Sequence, residues 1–191
     1  AIGFDLYCRL LQQAVQELRE DSGEPMMAIH RAQYKVALNN AALGFGPSID
    51  LPISAYLPAD LIADSALRLR FYRRMARIDT AQDVDDLAHE LEDRFGKLPE
   101  SVSDLLYLLR VRALATDAGV ESVNADSEEI AIALPMPVLP EAAASLAALA
   151  QGLRARGTRV WVKLQGDWRK TLLMVLRRIG ELAPVAQGAR R

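Results

Sequence analysis

Residues 99–118 limit the fold more than any other stretch of this chain. At about 100° per residue, Val102, Leu105, Leu106, Leu108, Leu109, Val111 and Leu114 cover most of a helix circumference. A helix apolar nearly all round has no face to offer water, so other elements must enclose it. Pro99 is suited to its start and Gly119 to its end. At 191 residues the chain is long enough to build that enclosure without disulfides.

The helix expected just before it, over residues 80–96, carries two stripes. Val84, Leu87, Leu91 and Phe95 make a single core-facing stripe. Asp83, Asp86, Glu90 and Asp93 make a second one at i, i+3, i+7, i+10. Four aligned carboxylates repel one another. The helix dipole favours Asp83 and Asp86 near the N-terminus and disfavours Glu90 and Asp93 near the C-terminus. Something other than helix stability is expected to keep the last two, and a basic partner surface is the simplest candidate. Thr80 is the expected N-cap, with Asp83 closing a capping-box-like arrangement, and Gly96 is the expected terminator.

Around this pair the pattern predicts an amphipathic helix over residues 4–20, broken at Asp21-Ser22-Gly23-Glu24-Pro25, and a linker or adaptable arm over 26–48. Ile49, Leu51, Ile53 and Leu57 alternate as in a strand, which Pro52 confines to an edge or to lying over a surface. A helix from about Asp64 to Ile78 buries Leu67, Phe71, Met75 and Ile78 and is capped by Asp64 or Ser65. After Gly119 come strands over 121–124 and 129–134, a helix from Ala142 to Leu153 that stops by Gly157, a strand over 159–164 and a helix over 169–182. Trp161 and Trp168 are expected to pack in the core beside that last strand. A helical N-terminal half followed by a β-β-α-β-α unit is an α+β fold. The expected organisation is a connector helix and linker over 1–48, a compact domain over 49–184 and a flexible tail over 185–191. The start at Ala1-Ile2-Gly3-Phe4, without methionine, reads as a cut from a larger polypeptide.

Little in the sequence looks catalytic. His30 and His89 are the two histidines and Cys8 the one cysteine; none has metal-ligand spacing. His89 falls on the polar side of its helix, as ordinary surface does. Gly44 and Gly46 are followed by proline and do not make a phosphate cradle. No nucleophile elbow is visible. The acidic stripe could hold a divalent cation only poorly, because a regular helix offers few convergent oxygens. No apolar run reaches membrane-spanning length, and the lone cysteine fits a reducing compartment. The net charge of −2 sets up no overall field for nucleic acid or anionic lipid. Arg68, Arg70, Arg73, Arg74 and Arg77 crowd one helix. Intramolecular ion pairs with the acidic helix explain them, and an alternative is a nucleic-acid-binding module gripping phosphates through Arg68, Arg73, Arg74 and Arg77.

Ordered motifs then carry a resemblance. They are Gly3-Phe4-Asp5-Leu6-Tyr7, Ile49-Asp50-Leu51-Pro52, Ala55-Tyr56-Leu57-Pro58, Leu67-Arg68-Leu69 with Tyr72-Arg73-Arg74, and Glu90-Leu91-Glu92-Asp93-Arg94-Phe95-Gly96 with Leu98-Pro99. Together they resemble the C-terminal domain of the bacterial transcription-repair coupling factors. The resemblance implies a cytoplasmic parent that couples stalled transcription to nucleotide excision repair. That parent would be a superfamily 2 helicase-like duplex-DNA translocase, with ATP and Mg held in its translocase lobes and not in this chain. Its implied partners are RNA polymerase, duplex DNA and the damage-recognition ATPase of excision repair.

For this chain the resemblance implies a non-catalytic lock. It would dock on the N-terminal repair-recruiting module of the same polypeptide through an acidic face that meets arginines there. Carried over by position, Glu90 and Asp93 match the family's acidic docking residues, with Asp86 beside them. Arg94 and Gly96 match as shapers of the helix end, and Leu91 and Phe95 as core. Phe4, Asp5 and Tyr7 resemble the segment leaving the second translocase lobe. Residues 21–48 and the extra carboxylate of Glu92 depart from the family pattern.

Overall fold

The computed structural model describes residues 46–182. The helix expected over 4–20, most of the linker and the tail after Leu182 lie outside the described residues. In chain order the elements are β1 (Ser48–Asp50), α1 (Ser65–Met75), α2 (Ala81–Phe95), α3 (Glu100–Asp117), β2 (Ser122–Ala125), β3 (Glu129–Ala133), α4 (Pro140–Ala147), β4 (Arg154–Arg156), β5 (Arg159–Lys163) and α5 (Trp168–Leu182). Among the described residues, five helices with one small mixed sheet make the α+β fold expected from the sequence.

The helix expected to be enclosed is enclosed. In α3, Val102, Leu105, Leu108, Leu109, Val111 and Ala115 are buried. They share one core with Val84, Leu87 and Leu91 of α2 and with Leu172, Val175 and Leu176 of α5. The sheet has the order β1-β2-β3-β5-β4. β1 runs parallel to β2 at one edge, and the other pairings are antiparallel. Ile49, Val123, Ile130, Ile132, Val160 and Val162 point to the core from its inner face.

Three expectations are corrected. The strand expected over 49–57 is only Ser48–Asp50. Pro52 lacks a donor for a ladder, and the Ile53 amide donates to the Leu51 carbonyl (2.8 Å) around it. Beyond that turn the chain leaves the sheet for the helices: the Tyr56 amide donates to the Ser101 carbonyl (3.2 Å) and the Leu57 amide to the Tyr72 hydroxyl (2.9 Å). The alternating burial survives, with Ile53, Ala55 and Leu57 all buried. Second, α4 stops at Ala147 rather than at Leu153, and an unanticipated strand, β4, follows. Gly157, at φ +57°, occupies the first position of a two-residue hairpin that returns β4 into β5. Glycine there suits the twist of the flanking strands. Third, only one tryptophan joins the core. Trp168 packs against it and meets Tyr107 edge-on at 6.2 Å. Trp161 sits on the outer face of β5, opposite Val160 and Val162.

α3 and α5 are clasped at the start of α5. The buried Asp104 carboxylate accepts from the Arg169 guanidinium at 2.6 Å. That guanidinium lies 5.5 Å from the Tyr107 ring centre and 5.7 Å from that of Trp168. The Tyr107 hydroxyl donates to the Arg169 carbonyl at 3.0 Å, and burial raises its pKa well above the usual range. A carboxylate left alone in that position loses its compensating donor. Arg169→Met is therefore expected to cost about 1–3 kcal/mol, and Asp104→Asn less. Urea denaturation of both single variants and the double variant measures the coupling, which is expected to be positive.

Candidate protein-docking surface

The acidic helix is built as its sequence dictates at both ends. The Thr80 hydroxyl accepts from the Asp83 amide (3.2 Å), and the Asp83 carboxylate accepts from the Thr80 amide (3.1 Å) and hydroxyl (2.7 Å), a closed capping box. The Thr80 hydroxyl and amide hold the Asp83 carboxyl below its ordinary pKa. Gly96 ends α2, its amide donating to the Glu92 carbonyl at 2.8 Å. Val84, Leu87 and Leu91 are buried and Phe95 packs against the core, which fixes the rotation of the helix.

With the rotation fixed, the carboxylates divide into two sets. One set fastens α2 to its neighbours. Asp85 pairs with Arg110 of α3, and Glu90 pairs with Arg74 of α1. Arg94 also donates to Glu90, at 3.1 Å, and its guanidinium lies 5.4 Å and 5.5 Å from the ring centres of Phe71 and Phe95. Those rings meet edge-on at 6.0 Å. The Arg74 hydrogen bond holds the Glu90 carboxyl below its ordinary pKa against the effect of partial burial, with Arg94 adding to it. The other set faces outward. Asp86 is exposed and accepts from the Gln82 amide group at 3.0 Å. Asp93 is exposed, with no hydrogen bond or ion pair among the described residues, and Glu92 and His89 are exposed too. Glu90 is thus the engaged member of the sequence-predicted set, its side chain 31% exposed, and Asp86 and Asp93 are the open ones. Asp85 was not singled out from sequence: its partner lies 25 residues away, and no local spacing signals it.

The arginine helix is divided in the same way. Arg68 donates to the Ile62 and Ala63 carbonyls, the latter at 3.1 Å. Arg74 is taken by Glu90. Arg70 and Arg73 are exposed on α1, Arg73 being engaged as well, and Arg77 is exposed just beyond its end. Among the described residues no group of three His, Cys, Asp or Glu side chains is placed to hold a metal ion, and no helix is long and apolar enough to cross a membrane.

A family model described as the TRCF domain matches residues 51–151, which take in α1, α2 and α3. The chain belongs to the TRCF domain family. The transcription-repair-coupling factor of Mycobacterium bovis is 32% identical over 163 residues, which is 85% of this chain and 13% of that protein. The Haemophilus influenzae factor is 32% identical over 128 residues, 67% of this chain and 10% of that protein. The TRCF domain described here thus spans roughly an eighth of the length of such relatives. A crystal structure of the C-terminal domain of a transcription-repair coupling factor superposes with a TM-score of 0.59 and 24% identity, covering 71% of this chain and 90% of that one. That likeness concerns the fold.

The α1–α2 joint of this TRCF domain has a pH signature. Glu90 titrates below its ordinary value when folded, so its contribution is complete above that value and is lost as the pH falls through the folded one. Both partners are partly exposed, which limits the contribution to about 0.5–1 kcal/mol. Glu90→Gln is expected to lower the melting temperature at neutral pH. Calorimetry on a series of decreasing pH should show the gap to wild type closing below about pH 4.

Proposed function

We propose that this chain is a non-catalytic, autoinhibitory docking domain of a transcription-repair coupling factor. In this reading it rests on the N-terminal repair-recruiting module of the same polypeptide and covers the surface that recruits the damage-recognition ATPase of nucleotide excision repair. The parent is a bacterial cytoplasmic, superfamily 2 helicase-like translocase that engages RNA polymerase and duplex DNA. ATP and Mg belong to its translocase lobes. Membership in the TRCF domain family supports the setting.

The observation that carries the docking role is the division of charge on α2. Asp85 and Glu90 hold the helix in place, while Asp86 and Asp93 stand outward with no ion pair among the described residues. Exposed ion pairs contribute roughly 0–1 kcal/mol each. An interface that relies on two or three of them opens readily when a competing partner supplies a few kcal/mol, which suits a lock.

The test belongs in the intact polypeptide. Asp86→Lys with Asp93→Lys is expected to raise affinity for the repair ATPase about three- to thirtyfold, the equivalent of two exposed pairs. A pull-down titration or surface-binding assay reads the change. Adding Glu90→Lys should raise it further, at the cost of loosening α1 from α2. Unchanged affinity in a folded Asp86→Lys, Asp93→Lys protein would overturn the proposal.

A further inference from the structure

We propose that the outer face of the sheet, centred on Trp161 and lined by Arg154, Arg156, Arg159 and Lys163, binds single-stranded DNA without reading its sequence. This inference does not depend on the acidic-face reading. It rests on a different surface of opposite charge.

The register places these side chains together. Val160 and Val162 are buried, so Arg159, Trp161 and Lys163 project from the other side of β5. Trp161 lies opposite Ala131 on one side and Arg154 on the other; Arg159 lies opposite Ala133 and Arg156. Arg154, Arg156, Arg159 and Lys163 are all exposed, and Trp161 is half-buried. Two strand carboxylates share this face with the four cations: Glu129, which lies opposite Lys163 and pairs with Arg154 at 2.6 Å, and Asp50 of β1, at the far edge of the sheet in the row of Trp161. The Arg154 guanidinium lies 5.0 Å from the Trp161 ring centre.

One feature of the face runs against stability. Arg156 and Arg159 stand directly opposite each other across the hairpin, and like charges in that relation destabilise a strand pair. Nearby, a Cβ at Gly152 would come within 2.8–2.9 Å of the Lys163 stem. That glycine leaves room for the stem at the φ of +80° it already needs. A face that accumulates repelling cations around a tryptophan fits a polyanion with flat, stackable groups. Aromatic rings and guanidinium planes on an open sheet stack unpaired bases, while the surrounding cations hold the phosphates. Ala131 and Ala133 keep the neighbouring strand low and offer no side-chain donors or acceptors. Beyond them Asn124 and Ser122 of β2 lie opposite Ala131 and Ala133. DNA is the occupant tested first because the parent proposed above works on DNA, and the oligouridylate arm below reads RNA.

The experiment is fluorescence anisotropy of a labelled oligothymidylate titrated with the full 191-residue chain at low and moderate salt. Binding is expected, weakening steeply with salt. Trp161→Ala should weaken it about tenfold and Trp161→Phe much less, since one stacked base is the contact removed. Arg156→Glu with Arg159→Glu should weaken it at least as much and flatten the salt slope. Arg70→Glu on α1 with Arg77→Glu just beyond its end should leave it unchanged. Circular dichroism checks each variant for folding; should Trp161→Ala not fold, Trp161→Leu, which keeps the apolar bulk without the ring, replaces it. The proposal is overturned by absence of saturable binding, by heparin binding equally well with no effect of Trp161→Ala or Trp161→Leu, by tighter binding of duplex DNA or oligouridylate, or by loss of binding in the α1 variant.

Discussion

The enclosure of α3 is the constraint on which the rest of the structure depends. A helix apolar on nearly every side needs walls all round, and α2, α5 and the sheet provide them. Its end residues Glu100, Ser103, Thr116 and Asp117 reach solvent, whereas four polar side chains between them become fasteners. Asp104 and Tyr107 tie α3 to the start of α5. Arg110 ties it to α2 through Asp85. Arg112 donates to the Met75 and Ile78 carbonyls (2.8 and 3.0 Å), closing the C-terminal end of α1. Each satisfies a group that is costly to leave unpaired near a core, and each fixes the rotation of a neighbour.

Legibility from sequence followed the range of the interaction. Helices α1, α2, α3 and α5 were readable because each carries a long apolar stripe, and the first three also a local start signal; the Thr80–Asp83 capping box is complete within four residues. β4 was not readable. Arg154-Ala155-Arg156 shows no apolar alternation, since an edge strand three residues long needs only Ala155 to face inward. Its one local signal is Gly157, which suits a helix stop as well as a hairpin. Pro52 was read correctly as an edge marker but not as the end of the strand, because the alternating burial continues past it against helices. Trp161 and Trp168 are equally apolar in composition. Only the phase of β5, set by Val160 and Val162, separates the outer one from the inner one.

The acidic stripe shows the same limit at the level of a site. Sequence placed four carboxylates in line, and the helix does hold them there. What it did not contain was the tertiary position of Arg74, sixteen residues before Glu90, which turns one of the four into a structural pair. The dipole argument treated Glu90 and Asp93 alike. In the folded chain the unfavourable dipole at Glu90 is offset by two guanidinium groups, whereas at Asp93 no cation among the described residues offsets it.

That asymmetry bears on how an acidic helix can act as a docking surface. A basic partner approaching Glu90 must displace Arg74, which belongs to the same chain and therefore acts at a high effective concentration. Displacement would also strip Arg94 of the carboxylate that steadies it over Phe71 and Phe95. The net gain from such an exchange is close to zero, because one exposed pair replaces another. Asp86 and Asp93 carry no such penalty: an incoming cation replaces water and one neutral amide contact. In the proposed docking, selectivity for a partner would therefore be set by the outward pair, with Glu90 holding α2 at the angle that presents them.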